Sequence, residues 1–103
     1  MALTVELDIR NPSGLHARPA AVFVKAAAGF GSDIRVANLS TESPEVTAKS
    51  IIAVLGLGVQ RGHRIRLRAE GADEADAMAA LEGLVAAGLE EPLDEAPPAA
   101  PVA

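Results

Sequence analysis

Three segments of this chain alternate polar and apolar residues with period two. Val5, Leu7 and Ile9 alternate with Thr4, Glu6, Asp8 and Arg10; Ile34 and Val36 with Asp33, Arg35 and Ala37; Ile65, Leu67 and Ala69 with Arg64, Arg66, Arg68 and Glu70. Such segments are strands with one buried and one wet face, the pattern of an antiparallel sheet covered on one side. A weaker strand is expected at residues 45–47, after the turn signals of LSTESP.

Helical stretches lie between the strands. The first is expected over about 17–28, with Gly29 as its stop. The second is short, about 50–57, with Ser50 as N-cap and Gly58 as stop. The third starts near Asp73, with Glu74 and Asp76 favourable in its first turn and Met78, Leu81 and Val85 as its apolar stripe. The order β-α-β-β-α-β-α implies an α+β open-faced sandwich, a four-stranded antiparallel sheet covered on one face by three helices. That topology alone also fits a small-molecule sensing domain. The expected domain spans 1–88. Residues 89–103, rich in Pro, Ala and acid, are expected to form a disordered tail.

At 103 residues the chain is long enough for one modest core. Its aromatics are Phe23 and Phe30 alone, so that core is aliphatic and no stacking platform for nucleobases is available. The net charge of −5 also argues against nucleic acid. Residues 1–69 carry all nine Lys/Arg against five acids, whereas 70–103 carry nine acids and no Lys/Arg. That asymmetry suits an acidic protein partner or a phosphate, and equally suits ordinary solubility. Without cysteine, and with only His16 and His63 as imidazoles, no metal site or disulfide frame is expected. No apolar run approaches membrane-spanning length and the N-terminus does not read as a signal peptide. The expectation is a cytoplasmic protein with no membrane insertion.

The chemistry concentrates in GLHARPAA, residues 14–21. Pro19 belongs in a helix's first turn, where its missing N–H costs nothing. His16 therefore stands at a helix N-terminus with Arg18 two residues on. The free amides of Ala17 and Arg18, the helix dipole and the guanidinium form an anion site. A neutral imidazole nitrogen beside such a site can hold a phosphoryl group. Gly14 allows the tight turn that brings the loop to the helix, and Ser13 and Asn11 are further polar contacts. No nucleotide loop or Mg²⁺ ligand set is present, so the phosphoryl donor must be another protein. The plainer reading makes His16 a residue before a helix and Arg18 a solvated charge.

The second helix, KSIIAVLGLG, carries Ile51, Ile52, Val54, Leu55 and Leu57 on more than one face. Either it is deeply buried or it leaves an exposed apolar patch for a protein partner. Ser50 at its head is a structural cap; a phosphate there would put up to about two negative charges beside the patch. His63, in RGHRIRLR, is read as a surface residue, and Arg64, Arg66 and Arg68 as partners of acids on neighbouring strands.

With GLHARPAA, AKSI, LGLGV and GADEADA in place, the chain from about Thr4 to Gly88 resembles the histidine-containing phosphocarrier (HPr) family of the bacterial phosphoenolpyruvate-dependent phosphotransferase system. The resemblance implies the same fold; no cofactor is expected, and exposed relay surfaces favour a monomer. It implies that His16 accepts a phosphoryl group from enzyme I at Nδ1 and passes it to an enzyme IIA domain, with Arg18 as the active-site arginine. It places a regulatory phosphorylation on Ser50, with its kinase and phosphatase and a transcription regulator as further partners. Ala20, Val24, Ile51, Ile52 and Leu55 fall on the docking surface. The chain departs from the family pattern in having Ile52 and Leu55 where methionines are common, a longer segment from Asn38 to Val46 containing Pro44, and the acidic tail. The AKSI form is similar to the nitrogen-related branch, so both sugar transport and a regulatory relay are implied. The alternative function is a regulatory binder switched at Ser50.

Overall fold

The period-two segments pair as expected. The computed structural model describes residues 2–91; within them the elements are β1 (Leu3–Asp8), α1 (Ala17–Ala28), β2 (Asp33–Asn38), β3 (Val46–Thr47), α2 (Ile51–Gly56), β4 (Arg64–Glu70) and α3 (Glu74–Ala86). The sheet is antiparallel throughout, in the order β1-β4-β2-β3. Register places Leu67 of central β4 opposite Val5 on one side and Val36 on the other. Side chains at such cross-strand positions share a face, and Ile34, Val36, Ile65, Leu67 and Ala69 are all fully buried.

Alternation sends the arginines of β4 to the open face. Arg64 bonds Glu6 at 3.2 Å and Asp8 at 3.2 Å. Arg68 grips both oxygens of Glu45, the shortest contact being 2.7 Å, and Arg66 lies 3.7 Å from the same carboxylate. The Arg68 hydrogen bond holds the Glu45 carboxyl below its ordinary pKa. Exposed ion pairs contribute little net stability. Their spacing matches the register, but the inner face carries the fold.

Three helices cover that inner face. Phe23 and Ala27 of α1, Val54 of α2, and Ala77, Met78, Leu81 and Val85 of α3 join one core with the strands, aliphatic but for Phe23 among its buried residues. Ser50 Oγ accepts from the Ala53 N–H at 3.2 Å, the expected cap of α2. Gly29 ends α1, yet its φ of −74° is right-handed. The last turn tightens through a Gly29 N–H to Ala26 O bond, so the left-handed freedom of glycine is not what stops the helix. Asp73 precedes α3 but does not cap it. Its carboxylate accepts the N–H groups of Gly31 and Ser32, each at 2.9 Å, and the Ser32 hydroxyl. Those bonds, led by the Ser32 hydroxyl, lower its pKa. The segment after β2 is tied down by Ser43 Oγ, which accepts from Asn38 N at 2.8 Å, and by Ser40 Oγ, which accepts from Arg64 N at 2.9 Å.

Packing runs past the expected boundary at residue 88. Leu89 is fully buried in the core cluster. It follows Gly88 (φ 91°) and is itself left-handed (φ 54°), with its N–H donating to Leu84 O. This is a helix ending in which the residue after the turn packs back on the last turns. The rest of the expected tail, residues 92–103, lies outside the described residues.

Candidate functional site

The loop that leads into α1 is pinned before it reaches His16. Gly14 has φ 61°, and a Cβ on it would stand 2.3 Å from Val59 O. Only glycine fits so close an approach. Leu15 donates its N–H to Val59 O at 3.0 Å and is fully buried. His16 then occupies the N-cap position with extended backbone (φ −130°, ψ 163°), and its ring makes no cap bond. The half-buried imidazole is thus free for chemistry while the backbone on its N-terminal side is fixed.

Ala17 opens α1 with φ 50°, a left-handed conformation uncommon for a residue with a Cβ. First-turn amides of a helix lack intrahelical partners, and the positive end of the dipole lies at the same place. Arg18 is 77 % exposed at its side chain, and its Nη2 is 3.6 Å from Glu90 Oε1. That contact is long and solvated, so it leaves the guanidinium available to an anion. Pro19 is buried in the first turn, as its missing N–H permits.

The structure sorts the expected docking residues. Ile51, Ile52 and Leu55 are exposed on α2, Ile52 at 80 %. Val54 turns inward, so the short helix divides its apolar residues between core and surface. Val24 is half-buried. Ala20 is fully buried and offers no surface, because the face of α1 that carries it packs inward with Phe23 and Ala27. α1 and α2 pack on each other, which brings the His16 end and the exposed isoleucines onto neighbouring elements.

Three polar groups behave differently from expectation. His63 is half-buried, and its Nδ1 accepts from Gln60 N and Asn38 Nδ2, each at 3.1 Å. Asn38, fully buried, also donates to Leu57 O at 3.2 Å. The second imidazole therefore belongs to the scaffold under α2. Ser13 and Asn11 are engaged by Glu91: Oε1 accepts from Asn11 Nδ2 at 3.0 Å and Ser13 N at 2.9 Å, and Oε2 from Ser13 Oγ at 2.8 Å. These bonds, the Asn11 amide first, hold the Glu91 carboxyl below its ordinary pKa. Composition hides Glu90 and Glu91 within an acidic Pro/Ala stretch. The signal that could have found them is Gly88-Leu89, a glycine then a hydrophobe just past a helix.

The open-faced sandwich presents His16 at the start of its first helix, with the exposed Arg18 beside it. The family model described as the phosphotransferase-system HPr component phosphorylation site matches residues 3–87, and the chain belongs to that family. A multiphosphoryl transfer protein of Escherichia coli O157:H7 is 43% identical over 89 residues, which cover 86% of this chain and 24% of that protein. One from Haemophilus influenzae is 45% identical over 100 residues, 97% of this chain and 20% of that protein. The chain thus spans a quarter or less of the length of these curated relatives. HPr from Thermoanaerobacter tengcongensis superposes with TM-score 0.83 at 43% identity, covering 88% of this chain and 99% of that one. HPr from Bacillus anthracis gives 0.76 at 33% identity, covering 82% and 96%. Among the described residues no helix is long and apolar enough to cross a membrane.

Proposed function

We propose that this chain is a phosphoryl carrier of the phosphotransferase system, with His16 as the carrying residue. The observation that carries this reading is the placement of GLHARPAA: a free imidazole at the start of α1, in a chain matched over residues 3–87 by the HPr family model. Enzyme I is the donor and an enzyme IIA domain the acceptor. A neutral His16 nitrogen, Nδ1 by the family resemblance, attacks phosphorus in line. The bond to the donor atom breaks as the N–P bond forms, and the charge on the equatorial oxygens is met by Arg18 and the amides of Ala17 and Arg18. The return step reverses this toward the acceptor. A carrier must not bind its cargo too tightly, since uniform stabilisation deepens the well and slows onward transfer. An exposed arginine and a helix end suit that demand.

Ile51, Ile52 and Leu55, with Val24 at the edge, form the surface on which donor and acceptor dock. Ser50 caps the helix that carries this patch. A kinase acting there would leave a phosphate at the helix N-terminus, tolerated by the dipole but repelling an acidic partner. A Ser50 phosphatase and a transcription regulator would complete such a switch, which adds to carriage and does not replace it.

The test is intact mass after incubation with enzyme I and phosphoenolpyruvate, before and after mild acid. One acid-labile phosphoryl group, absent in His16→Ala, is the expected result. His16→Ala should melt within a few degrees of the parent, since its ring makes no cap bond. No uptake, or an acid-stable group elsewhere, would overturn the reading.

A further inference from the structure

The loop that presents His16 is held from two sides, and one of them comes from the far end of the chain. On the first side, Leu15 is buried and bonded to Val59 O. On the second, the Glu91 carboxylate takes three hydrogen bonds, all from Asn11 and Ser13. Asn11 is 1% exposed, and its Nδ2 also donates to Gly14 O at 2.9 Å. One amide group thus links Glu91 directly to the glycine turn two residues before His16. No donor in this clasp belongs to the sheet or to α3, so the bonds act on the loop alone.

The backbone around His16 needs such holding. Gly14 and Ala17, on either side of the histidine, are both left-handed, with φ 61° and 50°. Glycine takes this conformation freely, but in Ala17, which has a Cβ, it persists only where the surroundings over-determine it. The arm that delivers Glu91 is itself fixed: Leu89 is buried, and Leu89 and Glu90 are left-handed at φ 54° and 68°. A lowered Glu91 pKa agrees with a carboxylate that stays charged in the clasp.

We propose that Glu91 is a positioning residue for phosphoryl transfer: through Asn11 and Ser13 its carboxylate fixes the loop that sets His16 for in-line attack. This rests on the carrier reading of His16. Glu91 does not touch the phosphoryl group; it holds Ser13, whose N–H and hydroxyl are committed to the carboxylate. Displacing a reacting atom by about 1 Å can cost up to about a hundredfold in rate.

The test is rapid-quench transfer from phosphorylated enzyme I to the parent, Glu91→Ala, Glu91→Gln, Ser13→Ala and the Glu91→Ala/Ser13→Ala double variant. It is run where circular dichroism shows each to be folded, and Glu91→Gln keeps the side-chain volume should the alanine variant not fold. The maximal transfer rate is expected to fall about tenfold in Glu91→Ala, with KM within about twofold of the parent. Ser13→Ala should lose rate in the same direction and add little in the double variant. The Ser13 amide proton should shift while the Ile51 and Ile52 amides stay. An unchanged maximal rate, a loss confined to KM, or fully additive single losses would overturn the role. If the parent itself takes up no phosphoryl group, the carrier reading fails first; if it does and the Glu91 variants match it, only the positioning role fails.

Discussion

Leu89→Ala tests the most consequential departure from the sequence expectation, because the composition predicts a disordered tail from residue 89 and Leu89 lies fully buried in the core. The substitution removes three carbons from a closed site. At about 0.8 kcal/mol per buried methylene, transfer alone accounts for about 2.4 kcal/mol. Incomplete collapse of the cavity raises this, and buried Leu→Ala changes cost about 2–5 kcal/mol. The expected loss is about 3 kcal/mol. Leu89 also holds a φ of 54°, and left-handed backbone costs a residue with a Cβ roughly 1–2 kcal/mol. Leu89→Gly relieves that strain while losing one further methyl, so the two variants should be about equally unstable. Urea unfolding reads the difference. With m near the low end for small proteins, about 1–1.5 kcal/mol/M, the midpoint should fall by about 2–3 M. A loss under about 0.5 kcal/mol, the range of surface substitutions, would refute the burial and return residues 89–91 to the tail.

Gly14→Ala should cost about 3 kcal/mol and speed amide exchange at Leu15, since its Cβ would meet Val59 O at 2.3 Å in a left-handed conformation. Ile52→Asp, at an 80 % exposed position, should change stability by no more than about 0.5 kcal/mol. It should raise KM for phosphorylated enzyme I about tenfold, some 1.4 kcal/mol of docking energy; an unchanged KM would remove Ile52 from the docking surface. Glu45, Asp73 and Glu91 all have folded pKa values below their ordinary 4.5, 3.8 and 4.5. A depressed folded pKa means a contribution fully present above the unfolded value and lost as pH falls through the folded one. Melting temperature should therefore hold from neutrality to about pH 5 and decline below it. Asp73→Asn should flatten that decline, and an unaltered slope would count against the Asp73 clasp.

The strands, the helices and the placement of His16 at a helix start were legible in the sequence because each is a local property. Alternation reports which side of a strand meets water, and Pro19 and Gly14 report a turn into a helix whatever surrounds them. Ser50 was legible as a cap for the same reason, since its partner, the Ala53 amide, lies three residues away. Partners distant in the chain leave no such mark. Asp73 reads only as the place where the third helix starts, yet its carboxylate is spent on Gly31 and Ser32. His63 reads as a surface imidazole until Asn38 and Gln60 are brought to its Nδ1.

Ala20 and Val24 share an apolar helix, and only its packing against its neighbours, α2 and α3 among them, decides that the first is buried and the second half-buried. Leu89, Glu90 and Glu91 sit in a stretch whose composition is that of a tail. A window average cannot see that one leucine fills the core and that the glutamate two residues on reaches Asn11 and Ser13, about eighty positions earlier. The sequence by itself determined where the candidate histidine stands and which faces avoid water. The tertiary structure decided what holds the loop before His16, because a hydrogen bond depends on distance in space and carries no period along the chain.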